Sequence, residues 1–249
     1  MDRFTETAAL MLSAWHNPAQ LIGSLPLLPV SEAQAYEVQR RVSEGMGAIG
    51  GWKVGASGPD APPTCAPMPA AGVAPSPARL SAQKFTLRGV EAEIAFRLGA
   101  DLPPRALAYS RAEIVAAIAC CVPAIEILQS RLADPDTQPR LAVLADASTH
   151  GGFVYGPPAA DWQGIDFASE GVRLVVDGTV VKTSRANPGG DMVRLLQWLA
   201  DKGAHWAGGL RAGQYVTCGS WTGKDYVGPT AQVQATFAHA GSVSVEFGP

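Results

Sequence analysis

The chain has 249 residues, 47% of them hydrophobic and 16% charged, which allows a sizeable core and excludes a disordered chain. A formal net charge of −3, with no basic stripe interleaved with aromatics, gives no reason to expect a nucleic-acid partner. No apolar run reaches the roughly 20 residues of a membrane span, and Met1-Asp2-Arg3-Phe4-Thr5-Glu6 carries acids in place of a basic leader. A cytoplasmic protein without a membrane partner is therefore expected, with Cys65, Cys120, Cys121 and Cys218, which lack C-x-x-C spacing, as buried thiols.

Apolar side chains recur at helical spacing from Phe4 to Trp15 and stop before Asn17-Pro18, predicting a first helix with a proline terminator. Ser31 followed by Gln34 has the form of a capping box and predicts a second helix to about Glu44, before Gly45-Met46-Gly47. Residues 1–50 are thus expected to form a small helical region and 51–249 a catalytic mixed-β domain. The stretch from Gly55 to Pro77, rich in Pro, Ala and Gly without periodicity, predicts a long loop. Alternation from Gly89 to Leu98 predicts a strand. Ser110-Arg111-Ala112-Glu113 opens a helix through about Cys120, and Pro123 begins a strand through Leu128. Two strand-like runs flank Asp177-Gly178, a favoured two-residue hairpin turn. A helix from about Met192 to Lys202, stopped by Gly203, and strands at 215–218, 232–237 and 242–247 complete the pattern. Hairpins with few helices, and no G-x-G-x-x-G loop after a strand, predict an α+β fold and exclude a doubly wound sheet.

Three acids stand out. Glu91 and Glu93 lie two apart on one strand, so both project from one face with Cβ atoms roughly 7 Å apart, while Val90, Ala92, Ile94 and Phe96 cover the other. Such a pair is either a solvated strand face or a cation site, because carboxylates this close repel unless one is protonated or a cation lies between them. Glu126 sits inside the apolar run Val122-Pro123-Ala124-Ile125-Glu126-Ile127-Leu128, where a lone carboxylate must be paired, protonated or metal-bound. Arg131 is one candidate partner. A divalent ion shared with Glu91 and Glu93 is the other, and carboxylates without a His or Cys cluster suit a hard ion such as Mg²⁺ or Mn²⁺. Lys53, in Gly51-Trp52-Lys53-Val54-Gly55, is either an exposed turn lysine or a buried amine of lowered pKa beside a closely approaching ligand. Gly219-Ser220-Trp221-Thr222-Gly223 offers hydroxyls and N–H groups to an anion, or is an ordinary loop. Of four scattered histidines only His150 falls in a site-like segment, and it reads as a surface or capping residue.

Taken in order, several segments resemble the fumarylacetoacetate hydrolase superfamily, and within it the 2-keto-4-pentenoate hydratase and 4-oxalocrotonate decarboxylase group. They are Gly51-Trp52-Lys53-Val54-Gly55, Val90-Glu91-Ala92-Glu93-Ile94-Ala95-Phe96, Pro123-Ala124-Ile125-Glu126-Ile127 with Ser130-Arg131, Ala145-Asp146-Ala147-Ser148, Gly219-Ser220 and Gly241-Ser242-Val243, together spanning nearly the whole chain. The resemblance implies a distorted mixed β-roll or barrel behind a small helical region, assembled as a homo-oligomer. It implies Mg²⁺ or Mn²⁺ on Glu91, Glu93 and Glu126, with Lys53 in the active site. The activity implied is hydration of a 2-hydroxy-2,4-dienoate, a small 2-oxo acid of aromatic catabolism. Lys53 would do acid–base or electrostatic work, Ser220, Thr222, Arg131 and Asp146 would contact substrate, and Arg131 would also support Glu126. The alternatives are a 4-oxalocrotonate-like decarboxylase, an acylpyruvate C–C hydrolase and a non-catalytic binding or partner subunit of the same fold. The chain departs from its relatives in three places: Ala70 stands near where they carry an acid, Asp146-Ala147-Ser148 where they read Asp-Asn-Ala-Ser, and Gln129 where aspartate is frequent.

Overall fold

In the computed structural model, which describes residues 3–249, α1 (Thr5–His16) ends before Pro18 and α2 (Glu32–Glu44) starts on Ser31, whose hydroxyl accepts from the Gln34 N–H. The reciprocal half of the box is displaced: Gln34 Oε1 accepts from Val30 N at 2.9 Å. Both helices bury their apolar faces in a core shared with residues far along the chain. Phe4, Met11, Val38 and Val42 meet Leu132, Leu144 and Ala145 there.

β1 (Ile49–Gly55) pairs antiparallel with β2 (Thr64–Pro69), which corrects the expectation of an unbroken loop from Gly55 to Pro77. The prolines disguise β2 in the sequence, but it is an edge strand, where their missing N–H groups are tolerated. The glycines of β1 serve this sheet, since a Cβ on Gly51 would stand 2.5 Å from Tyr215 O and 2.6 Å from Met68 Cε. β3 (Val73–Pro75) and β4 (Ala78–Ser81) follow, then β5 (Gly89–Leu98) over the predicted span. α3 (Arg111–Ala117), opened by a complete Ser110–Glu113 capping box, ends earlier than expected, and β6 (Ile118–Leu128) begins before Pro123. Cys120, Cys121 and Val122 are taken up by pairing with Arg97, Phe96 and Ala95 of β5. Pro123 is accepted inside β6 because β7 (His150–Tyr155), on the other side, pairs only from Ala124 onward.

α4 (Arg140–Ala145) precedes β7, and β8 (Gly171–Val176) and β9 (Thr179–Arg185) form the predicted hairpin, with Asp177 and Gly178 at φ 49° and 78°. α5 (Met192–Trp198), capped by Asp191, runs on as a π-turn to Gly203. The end of the chain supplies β10 (Tyr215–Ser220), β11 (Asp225–Tyr226), β12 (Gln232–Phe237) and β13 (Gly241–Gly248).

Among the described residues these strands make an eight-stranded sheet of order β2-β1-β10-β5-β6-β7-β3, with β11 on β5, and a five-stranded sheet of order β4-β13-β12-β8-β9. Both parallel and antiparallel pairs occur, so this is the α+β mixed-β roll that was expected, with β2 and β3 as open edges. Val90, Ala92, Ile94 and Phe96 share the main core with Val233, Ala235, Phe237, Val243 and Val245 of the second sheet. Each such side chain contributes about 1.5–3 kcal/mol on burial. That commitment decides where the acids point: with its apolar alternates in the core, β5 must turn Glu91 and Glu93 to the opposite face of the large sheet. Among the described residues no helix is long and apolar enough to cross a membrane.

Candidate metal centre

Register brings the three acids together. Glu91 stands directly opposite Glu126 on β6, and Glu93 opposite Ala124, so all three carboxylates share one face. Each offers an oxygen within 4.8 Å of the others. Glu93 and Glu126 are 1% and 0% exposed, and Glu91 is half-buried.

The surroundings give each acid a different charge. Glu126 Oε1 lies 2.7 Å from Lys53 Nζ and 2.9 Å from His150 Nδ1. Burial alone would raise the Glu126 carboxyl, but the Lys53 charge and the His150 bond outweigh it and hold the group below its ordinary value. Glu91 is lifted to about 7 by burial and then by the Glu126 charge, against the pull of Lys53, Lys224 and Lys182. Burial, then Glu126 and Glu91, push Glu93 well above the usual carboxylate range, although the Thr217 hydroxyl donates to its Oε2. The buried Glu126 Oε2 has no hydrogen-bond partner among the described residues. An ionised oxygen left bare, beside two carboxyls that burial and the neighbouring acids push toward protonation, fits a small hard cation bound by oxygen.

Lys53 is not the amine of lowered pKa that burial suggested. Desolvation does pull it down, but Glu126, Glu91 and Glu93 outweigh that and raise it above its ordinary value, so it remains an ammonium. It also donates to Ser148 O at 3.1 Å. That carbonyl is presented by a strained turn: Ala147, Ser148 and Thr149 have φ of 49°, 50° and 61° in succession, a left-handed conformation that costs a non-glycine residue about 1–2 kcal/mol.

Arg131 and Asp146 hold that turn. Arg131 Nε donates to Asp146 Oδ1, while its Nη1 and Nη2 donate to His150 O and Asp146 O, each at 2.6 Å. Asp146 Oδ2 further accepts from Ser130 Oγ at 2.9 Å and from Arg131 N at 3.1 Å. Two sequence expectations are corrected here. Arg131 is paired with Asp146 and reaches Glu126 only by way of the His150 backbone, and the Asp146 carboxylate is buried with both oxygens taken up by Ser130 and Arg131. A third correction concerns His150, which is fully buried against Glu126 and is neither a surface nor a capping residue. Burial pushes it below its ordinary value despite the Glu126 bond, so its ring is neutral at neutral pH.

On the other flank, Thr217 pairs with Ala95 and Ser220 with Glu93. The register slips between them at Gly219, whose φ of 95° only glycine adopts readily. The bulge places Ser220 on the Glu93 side of the sheet. Its Oγ accepts from Gly223 N at 2.9 Å and keeps its own hydrogen for another acceptor. Thr222 is differently used: buried, its hydroxyl accepts from Ala92 N at 3.1 Å and donates to Gly223 O at 3.0 Å, bonds that fix the β5 backbone between the two acids. Lys182 Nζ stands 3.2 Å from Thr222 O and 3.3 Å from Asp225 Oδ2, and Lys224 pairs with Asp136. Sequence reading missed His150 as a neighbour of the acids, together with Thr217, Lys182 and Lys224. Only Thr217 left a trace, as a polar residue on a strand whose other face is apolar. A cleft of about 340 Å³ between Trp15, Lys84, Phe85, Gln129, Arg131 and Gly151 is lined by none of the three glutamates.

Fold and site together define a mixed-sheet protein built around a three-carboxylate centre. No family model matches the chain. Its sequence is 32% identical over 157 residues to 2-keto-4-pentenoate hydratase of Burkholderia vietnamiensis, covering 62% of this chain and 56% of the relative. It is 31% identical over 159 residues to 2-keto-4-pentenoate hydratase 3 of Pseudomonas putida, covering 64% and 58%. The match thus spans little more than half the length of these relatives. In structure the chain superimposes with a TM-score of 0.81, at 23% identity and 99% coverage of both chains, on 4-oxalocrotonate decarboxylase from Pseudomonas putida G7, solved with calcium and acetate and with magnesium and adipate. The chain thus shares the fold of that decarboxylase over its whole length.

Proposed function

We propose that the protein is a divalent-metal-dependent hydratase that converts a 2-hydroxy-2,4-dienoate into a 4-hydroxy-2-oxo acid. The observation that carries this is the convergence of Glu91, Glu93 and Glu126 around a buried, unpartnered carboxylate oxygen with the Lys53 ammonium beside it. The sequence similarity to hydratases supports it. Glu91, Glu93 and Glu126 would hold Mg²⁺ or Mn²⁺, which when bound supplies positive charge to the carboxylate and 2-oxygen of the substrate. Lys53, kept protonated by its acidic neighbours, donates a hydrogen bond to the 2-oxygen and stabilises enolate charge there. Ser220 offers its free O–H to the substrate carboxylate. The reaction balances as loss of the enol O–H proton and gain of a proton at C5, which leaves an unsaturated ketone; water oxygen then adds at C4 and a proton at C3. We also place the enzyme in the cytoplasm, where its four free thiols would stay reduced, and propose that it assembles as a homo-oligomer.

Incubation of the Mg²⁺-loaded protein with 2-hydroxypenta-2,4-dienoate should abolish the dienol absorbance and yield a 4-hydroxy-2-oxo acid by NMR, while Glu126→Gln should not. Unchanged absorbance with dienols of several chain lengths would overturn the reading. A second reading, decarboxylation of a 4-oxalocrotonate-like diacid, draws support from the fold match over 99% of both chains and from Lys182 and Lys224 beside Glu91. Release of CO₂ from such a diacid, without dienol hydration, would select it.

A further inference from the structure

Two groups contact the Glu126 carboxylate, both through Oε1, and the unexpected one beside the Lys53 ammonium is a histidine. His150 opens β7 opposite Leu128, is fully buried and makes one side-chain hydrogen bond, Nδ1 to Glu126 Oε1 at 2.9 Å. Its Nε2 is buried without a partner among the described residues. An apolar ring would fill the same volume without leaving a polar atom stranded, so packing does not account for imidazole at this position. The single bond it makes does. The carboxylate oxygen can only accept, so the hydrogen must sit on Nδ1, which makes Nε2 the bare acceptor.

We propose that His150 is a positioning residue for the metal centre: its Nδ1–H fixes the rotation of the Glu126 carboxylate so that Oε1 is occupied from within the protein and Oε2 alone is presented to the cation. Resting on the assignment of Glu126 as a ligand, the proposal adds a division of labour between the two donors on Oε1. Lys53 sits on a flexible stem at 17% side-chain exposure and can move to a substrate oxygen. His150 cannot move, because its own carbonyl is held by Arg131 Nη1 at 2.6 Å and its chain neighbours belong to the turn that Asp146 secures. Glu126 therefore stays aimed when Lys53 leaves it. A hydrogen bond donated to a metal-ligating side chain in this way commonly sets metal affinity by about 10–100-fold.

The test measures Mn²⁺ dissociation constants of the full chain by titration calorimetry, with melting temperatures of the metal-free proteins alongside. His150→Asn places an amide N–H where Nδ1 lies, His150→Gln places it where Nε2 lies, and His150→Phe removes it. The expected result is that Asn binds Mn²⁺ within about threefold of the parent while Gln and Phe bind about 10–100-fold more weakly, with metal-free melting temperatures that do not follow that order. Equal affinity in all three variants, or Gln outperforming Asn, overturns the proposal, as does a loss that follows melting temperature alone. Glu126→Gln separates this from the underlying assignment. If it leaves Mn²⁺ affinity unchanged, Glu126 is not a ligand; if it weakens binding while His150→Phe does not, only the positioning role fails.

Discussion

Cation binding by the glutamate cluster should displace protons, and how many depends on pH in a way the site geometry sets. In the metal-free protein Glu126 is ionised, held so by Lys53 and His150, whereas Glu91 sits at about 7 and Glu93 well above its ordinary value. A divalent ion that uses all three carboxylates must expel the proton on Glu93 and, below pH 7, the one on Glu91 as well. At pH 6, one unit below the Glu91 value, that group is about nine-tenths protonated, and removing its proton costs about 1.4 kcal/mol, roughly a tenfold loss of affinity. The Glu93 proton adds to this. Mg²⁺ or Mn²⁺ affinity should therefore rise at least tenfold from pH 6 to pH 8. Calorimetry in buffers of different ionisation enthalpy should show more than one proton released per ion at pH 6 and fewer at pH 8, and Glu91→Gln should remove about one of them at pH 6. The same shifts fix the sign of the stability change. Carboxyls whose folded pKa lies above the unfolded one stabilise the protein while protonated, and that contribution is lost as pH rises through the folded value. The metal-free protein should thus melt at lower temperature at pH 8 than at pH 5.5, and saturating metal should reverse the trend. Affinity that does not change between pH 6 and 8, with no proton release, would refute the reasoning.

Two further outcomes are expected. Lys53→Met should lower the rate of dienol consumption by about 10²–10⁴-fold, the usual range for a group acting on a proton or a developing charge. Mn²⁺ binding by calorimetry should persist in it, because Lys53 is not a ligand; loss of binding in parallel with activity would contradict the assignment. Arg131→Ala and Asp146→Asn each leave a buried group without its partner and should destabilise the protein by about 3–5 kcal/mol in urea denaturation. A rise in KM with unchanged stability would instead restore these two residues to the substrate.

The secondary structure was readable where a local rule had a local cause. Asn17-Pro18 stops α1, Ser110–Glu113 caps α3, and Asp177-Gly178 turns the β8–β9 hairpin. It was misread where pairing overrode local composition. Pro67 and Pro69 belong to a strand because that strand is an edge, and Ile118–Val122 leave the helical pattern because β5 claims them. The strained turn 147–149 offered no glycine to announce it and exists because Arg131 and Asp146 hold it from outside.

By itself the sequence determined that Glu91 and Glu93 share a face, because strand alternation is a local property, and its ordered motifs named Glu126 and Lys53 as their companions. Only the tertiary structure decided the rest, because each remaining contact crosses between segments distant in the chain. The register of β5 on β6 set Glu91 against Glu126. The fold of β7 turned His150 from an expected surface residue into the inner partner of that carboxylate. Asp146 took Arg131 away from Glu126, and the three acids together overcame burial to keep Lys53 charged. Spacing along a chain reports which face a residue occupies; which charges meet there, and so which protons are held, depends on distances that only the folded chain creates.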